Sequence, residues 1–256
     1  KSYHTDFHVF GTYTATSVVQ DSLGGLNLAK YESLSGTRVS QFVHTENFPD
    51  NPDYEAIVNY LEYPNTEDIN TQPDANVFDY YGLHFRGYLH PDETGEYRFF
   101  MSSDDNAELW LSTDEKPANA ILIATESSWS SVRDYASIGD ESVSPPISLD
   151  AGKMYFIEAF HKEGIGGDNF AVTWIKPSDS IAVPEDGATP ISGAYLSPFH
   201  SDQTLYASAL ENSTIYKVSS YGNVDSLYSE SGKEANALAF DASGTLYFLD
   251  RQSDSV

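Results

Sequence analysis

The sequence contains no cysteine, which removes disulfides, thiolate zinc sites and cysteine nucleophiles at once. A chain of 256 residues can bury a core without crosslinks, so this lack does not argue against an extracellular setting. Basic residues are scarce: 13 Lys and Arg stand against 39 Asp and Glu, a formal charge of −26. A surface that acidic repels phosphate backbones and anionic headgroups, and this disfavours nucleic acid and membrane as partners. No run approaches the roughly 18 apolar residues of a spanning helix, so direct membrane insertion is not expected. The chain opens at Lys1 with no signal-like segment, which reads as a processed or trimmed end. Helical patterning is nearly missing as well, because few stretches keep apolar residues at three- and four-residue spacing beyond two turns.

What is present is strand-like. Aromatic residues make up 14% of the chain, 18 of them Tyr, and such side chains suit half-buried pleated surfaces. Short runs rich in Tyr, Phe, Val and Ile occur at 11–20, 82–90, 95–102, 107–112, 120–125, 153–161 and 170–175. Clusters of Asp, Asn, Gly and Pro separate them. The long helices of a βαβ arrangement are lacking between them, so an all-β antiparallel sandwich is expected. Residues 46–76, with "NFPDNPDYE" and "YPNTEDINTQPDAN", read as long ordered loops. After Pro198 the character changes. Leu205, Tyr206 and Ile215 recur 41 residues later as Leu246, Tyr247 and Val256. A period near 40 predicts a partial β-propeller-like C-terminal segment, with two ordinary hairpins as the alternative. The expected divisions are a strand or linker over 1–27, the sandwich over 28–198 and the incomplete propeller-like repeats over 199–256.

Two stretches carry chemistry. In "GLHFRGYLHPDETGEYRFFMSSDDNAE", residues 82–108, Phe85, Leu89, Tyr97, Phe99 and Met101 take alternate positions. Asp104 and Asp105 then fall together at a strand end. Adjacent acids on a strand face opposite sides, so aiming both at one ion needs a sharp bend, for which a cis peptide bond is one device. The second stretch, "HKEGIGGDNFAVTW" at 161–174, joins two strands through Gly164, Gly166 and Gly167, with Glu163 and Asp168 flanking. Its carboxylates and uncovered carbonyls are the oxygen ligands that calcium accepts. A turn or solvated strand end is the plainer reading of the Asp pair, and halophilic or marine solvation is the plainer account of the bulk charge. Trp110 and Trp174 sit within apolar strands and are expected in the core, whereas Trp129, in polar "TESSWSSVRDY", is the candidate for an exposed aromatic. No Gly-x-Ser-x-Gly motif occurs, and "GIGGDN" lacks the Lys and Ser/Thr of a phosphate loop. On these grounds the chain is not expected to be an enzyme.

Over about residues 28–198 the sequence resembles the PA-fourteen (PA14) domain family, named from a fragment of anthrax protective antigen. The motifs fall in family order: "LAKYESLSGTRVSQF", "SDDNAELWLSTD", "PISLDAGKMYFIEAFHKEGIGGDNFAVTW" and "ISGAYLSP". The resemblance implies a β-sandwich in which an adjacent Asp pair, joined by a cis peptide, binds calcium that in turn coordinates vicinal sugar hydroxyls. The matching pair is Asp104 and Asp105. The matching second loop is 163–169, in which Glu163, Asp168, Asn169 or the Gly166 carbonyl would complete the metal and sugar contacts; apart from the resemblance, Trp129 is the aromatic candidate for the sugar, with capping of the core as its alternative. Ile165 interrupts the glycine run found in related bacterial sequences. The expected role is a calcium-dependent carbohydrate-binding module of a larger bacterial or archaeal surface or secreted protein. Its partners would be glycans such as neutral hexoses or fucose-like sugars, and the parent chain would carry further β domains. A structural spacer or filament subunit, and an accessory module of an extracellular hydrolase, are the alternatives.

Overall fold

The computed structural model describes residues 23–64 and 78–199, together with five strands between 205 and 250. Two compact units divide the chain, one of them running Ser22–Phe199. That unit holds β1 (Leu26–Tyr31), α1 (Val39–Phe42), β2 (Tyr54–Val58), β3 (Glu62–Tyr63), β4 (Tyr81–Leu89) and β5 (Gly95–Asp104). It continues with β6 (Asn106–Ser112), β7 (Ala120–Glu126), β8 (Ile147–Leu149), β9 (Tyr155–Glu163), β10 (Asn169–Ile175) and β11 (Leu196–Pro198). Among the described residues no helix is long and apolar enough to cross a membrane.

The strands form an antiparallel sandwich. One sheet runs β2-β1-β4-β9-β6-β7, with β11 also on β4, and the other runs β3-β10-β5-β8. A single edge of β4 serves two partners, because β1 pairs with it over Gly82–Arg86 and β11 takes Gly87–Leu89. Alternation explains the core: Leu83 and Phe85 from the first sheet meet Tyr97, Phe99, Met101, Phe170 and Val172 from the second, all fully buried. Phe85 and Phe170 stack across the gap at 4.9 Å, and each such ring contributes about 2–3 kcal/mol of burial.

β4 is buried on nearly every residue of both faces, which an antiparallel strand with one solvated side would not show. Its outer face lies beneath an aromatic layer: Tyr31 and Phe42 meet at 5.0 Å, and Phe48 packs against Phe42, His84 and Phe160. Gly82 makes this approach possible, since a Cβ there would stand 2.7 Å from the Phe42 ring.

Three expectations change. Residues 46–76 are not wholly loop: β2 and β3 fall within them, and β2, an edge strand with no fully buried residue, shows no two-residue apolar alternation for sequence reading to find. Trp110 leaves the core. Leu109 and Leu111 point inward, so the residue between them faces out, where its indole N–H donates to Glu108 at 3.1 Å. Trp174 packs at the rim of the core against Tyr97 and Tyr195, each at 5.1 Å. The candidate strand at 11–20 lies outside the described residues.

The other unit contains β12 (Leu205–Ala209), β13 (Thr214–Val218), β14 (Val224–Ser229), β15 (Ala235–Phe240) and β16 (Leu246–Asp250). They pair as a three-stranded meander and a separate two-stranded hairpin. Leu205 and Leu246, the echoed pair, each open a strand, and Val256 lies outside the described residues. Among the described residues neither pairing makes the four-stranded sheet of a propeller blade, and the propeller-like segment is not established.

Candidate metal and glycan site

Both informative stretches are crossings between the two sheets. β5 belongs to the smaller sheet and β6 to the larger, so the chain changes sheet at Asp104–Asp105. β9 belongs to the larger sheet and β10 to the smaller, so residues 164–168 make the return crossing. The ladders put these crossings side by side, because Asp104 pairs with Asn169 in one sheet and Asn106 pairs with Lys162 in the other.

The Asp104–Asp105 peptide bond is cis. Asp104, Asp105 and Glu163 each bring a carboxylate oxygen to one place, all within 4.8 Å of one another. Oxygens about 2.4 Å from a calcium ion stand up to about 4.8 Å apart, so the spacing fits that ion. Glu163 is 0% exposed, and neither of its carboxylate oxygens has a hydrogen-bond partner. Burying an unpartnered carboxylate is costly, and a cation at this point supplies the missing partner. Asn169 Oδ1 is likewise buried without a partner, while its amide donates to the Ser130 carbonyl at 2.9 Å.

Electrostatics tell the same story. Burial, with Asp105, Asp168 and Glu126 adding repulsion, pushes Asp104 up to about 6. Burial and the charges of Asp105, Asp168 and Asp104 push Glu163 up to about 8. Asp105 is raised by burial, and the Gly164 N–H, 3.0 Å from its Oδ2, partly offsets this. Lys162 is 0% exposed, and its ammonium donates to the Glu163 carbonyl. Burial lowers it to about 8.

Of the other sequence candidates, Asp168 stands outside the three-carboxylate group. It is buried, and its Oδ2 accepts the Phe78 N–H at 3.0 Å. Gly166 takes φ +126 with open space around it. Gly167 is closer to the acids, since a Cβ there would stand 2.9 Å from Asp104 Oδ2. Trp129 is 63% exposed and bridges to Asp104 through its backbone. The next residue fixes this loop: Ser130 N–H donates to the Ser103 carbonyl at 2.7 Å, and Ser103 N–H donates to Ser130 Oγ at 2.9 Å. Further along, Arg133 donates twice to buried Glu62, at 2.6 and 2.8 Å. Ile165, on the other crossing, is 64% exposed. Sequence reasoning named Gly164 and Gly167 as loop glycines without their contacts to the acids, and it missed Lys162. The glycine cluster pointed to the first two, but nothing pointed to the lysine.

Residues 39–186 match the sequence profile described as PA14 domain. A curated relative, mouse N-acetyl-beta-glucosaminyl-glycoprotein 4-beta-N-acetylgalactosaminyltransferase 1, is 32% identical over 157 residues, 59% of this chain and 14% of that protein. This chain therefore corresponds to a small part of it. Among solved structures, the A domain of epithelial adhesin 6 from Candida glabrata, in complex with Galβ1-3GlcNAc, is 15% identical. The similarity spans 70% of this chain and 89% of that one at a TM-score of 0.47. An anti-sigma factor domain-containing protein from Clostridium clariflavum is 18% identical over 73% of this chain and 50% of that one, at a TM-score of 0.43. The mouse relative corrects the expectation that the chain is not an enzyme. Its name is that of a glycosyltransferase, and a stretch without catalytic motifs is compatible with residence in an enzyme.

Proposed function

Because the chain belongs to the PA14 domain family, we propose that Ser22–Phe199 is a glycan-binding module whose sugar is held through a calcium ion. Asp104, Asp105 and Glu163 supply the anionic ligands, and Asn169 Oδ1 supplies a neutral oxygen. One observation carries this reading: Glu163, whose two carboxylate oxygens are buried and unpartnered, brings one of them within 4.8 Å of a carboxylate oxygen of Asp104 and of Asp105, a spacing that suits one ion. Calcium accepts irregular oxygen shells, so an ion held by these residues would offer coordination to vicinal hydroxyls of a hexose or fucose-like ring. The chain's own residues fix the geometry, with Gly164 orienting Asp105 by its N–H and the Ser130 loop orienting Asn169. Trp129, bridged to Asp104 through its backbone, and Ile165, on the 164–168 crossing, are both exposed and would meet the apolar face of the sugar.

Few hydroxyls reach such an ion, so a single site binds weakly, in the millimolar to high-micromolar range, roughly −4 to −5.5 kcal/mol. An extracellular or cell-surface setting suits a site of this kind, because calcium is abundant there. A glycan array probed with calcium and again with chelator tests the proposal. Calcium-dependent binding of at least one hexose- or fucose-terminated glycan is expected, and an array blank under both conditions rejects it. A second reading rests on the mouse glycosyltransferase: the module sits in an enzyme chain and delivers that enzyme to its glycan substrate. Glycan binding would then raise turnover on polymeric acceptors and leave small acceptors unaffected.

A further inference from the structure

Beside the three carboxylates lies a cation that metal binding does not use. Lys162 is 0% exposed, which is unusual for lysine, since its ammonium loses its hydration on burial. Three features place it against the site. In the larger sheet it pairs with Asn106, the residue that follows the Asp pair. It directly precedes Glu163, and its ammonium donates to the Glu163 carbonyl. The charges of Glu163 and Asp105 both act on it. From its other side β4 presents Gly82, and α1, tied to Asn106 Oδ1 by the Val39 N–H at 2.8 Å, packs on β9 and β6. These elements enclose Lys162, which is 0% exposed.

We propose that Lys162 is a fixed internal counter-charge that holds down the calcium affinity of the Asp104, Asp105 and Glu163 site. The inference rests on the calcium reading and deepens it. Calcium affinity in oxygen sites follows the charge count of the ligands and the rigidity of the site. Three carboxylates, one fully buried and two part-buried, form a strong trap. One positive charge beside them, itself 0% exposed and held on the Glu163 carbonyl, reduces the net charge from −3 to −2 and is screened less than a surface charge would be. The site then falls in the class of extracellular modules, with Kd of about 10⁻⁴ to 10⁻³ M. It fills where calcium is millimolar and empties where calcium is micromolar. The same charge lets three acids share one corner of the fold before any metal arrives.

A purely mechanical role for Lys162, filling the groove beneath α1 with its methylene stem, makes a different forecast, because methionine fills that groove equally well. The test is calcium titration by calorimetry on the full 256-residue chain, wild type against Lys162→Met, with melting curves in chelator and in calcium. The expected result is about tenfold tighter calcium binding in Lys162→Met, a lower melting point in chelator and a larger rise on adding calcium. Lys162→Arg, which keeps the charge, should retain the weak affinity. If Lys162→Met does not fold, Lys162→Gln gives the same comparison. Equal Kd for wild type and the neutral variant overturns this inference while leaving the calcium reading intact. No calcium heat from any of the proteins overturns both.

Discussion

The Gly164 N–H donates to Asp105 Oδ2 at 3.0 Å, and through that bond the return crossing holds the carboxylate of the outward one. Neither crossing makes the site alone. A disturbance of either should reach the metal before it reaches the core.

The acids come first. Asp104→Asn or Asp105→Asn removes one of three anionic ligands and should weaken calcium binding about 100-fold, or ~2.7 kcal/mol. Both side chains are only part-buried, so the far-ultraviolet spectrum should stay that of the wild type. Calorimetry beside circular dichroism checks the pair of outcomes, and unchanged calcium heat in both variants counts against these ligands.

Gly167 separates metal geometry from fold. A Cβ there meets Asp104 Oδ2 at 2.9 Å, and the atom that must move is the tip of a side chain. Gly167→Ala should therefore leave stability within about 0.5 kcal/mol and loosen calcium about tenfold. A variant that unfolds more readily yet binds calcium normally contradicts the assignment.

Calcium itself should stabilise the fold. At ten times its Kd the ion adds about 1.4 kcal/mol by mass action, a rise of roughly 3–6 °C in melting temperature for a domain of this size. Chelator should reverse the rise, and magnesium at equal concentration should give less, because it demands a tighter octahedral shell. Scanning calorimetry is the readout.

Away from the metal, Glu62→Ala removes the two-point pairing of Arg133 with Glu62. Glu62 is buried, and breaking such a pair from one side costs about 3 kcal/mol. Urea denaturation measures it. Calcium affinity should fall too, because Arg133 anchors the loop whose Ser130 carbonyl orients Asn169. A loss below about 0.5 kcal/mol would mean that solvent screens the pair.

Some of this architecture was legible in residues alone. The alternation of Phe85, Leu89, Tyr97, Phe99 and Met101 announced the core, and all five are buried. Asp104 and Asp105 stood out as neighbours with the wrong geometry for a plain strand. Other features were hidden for physical reasons. β2 has no buried face to leave a period in the sequence. Trp110 is apolar in type, but the two-residue repeat of its strand turns it outward, and propensity does not tell one face from the other. Lys162 read as one charge among several in "HKEG", because its burial depends on β4, β6 and α1 closing around it, and no local pattern encodes that. The Glu163 oxygens stood out only once their lack of partners was known. The absence of catalytic motifs over the sandwich said nothing about whether an enzyme contains it.

The shared edge of β4 also determines how this unit can travel between proteins. β1 and β11 lie end to end along it, and the Gly24 and Gly25 amides both donate to the Leu196 carbonyl, at 3.0 and 3.3 Å. The unit thus begins and finishes at one spot. A host protein can receive it within a surface loop as it would a hairpin, with two neighbouring attachment points and no change in the spacing of its own strands.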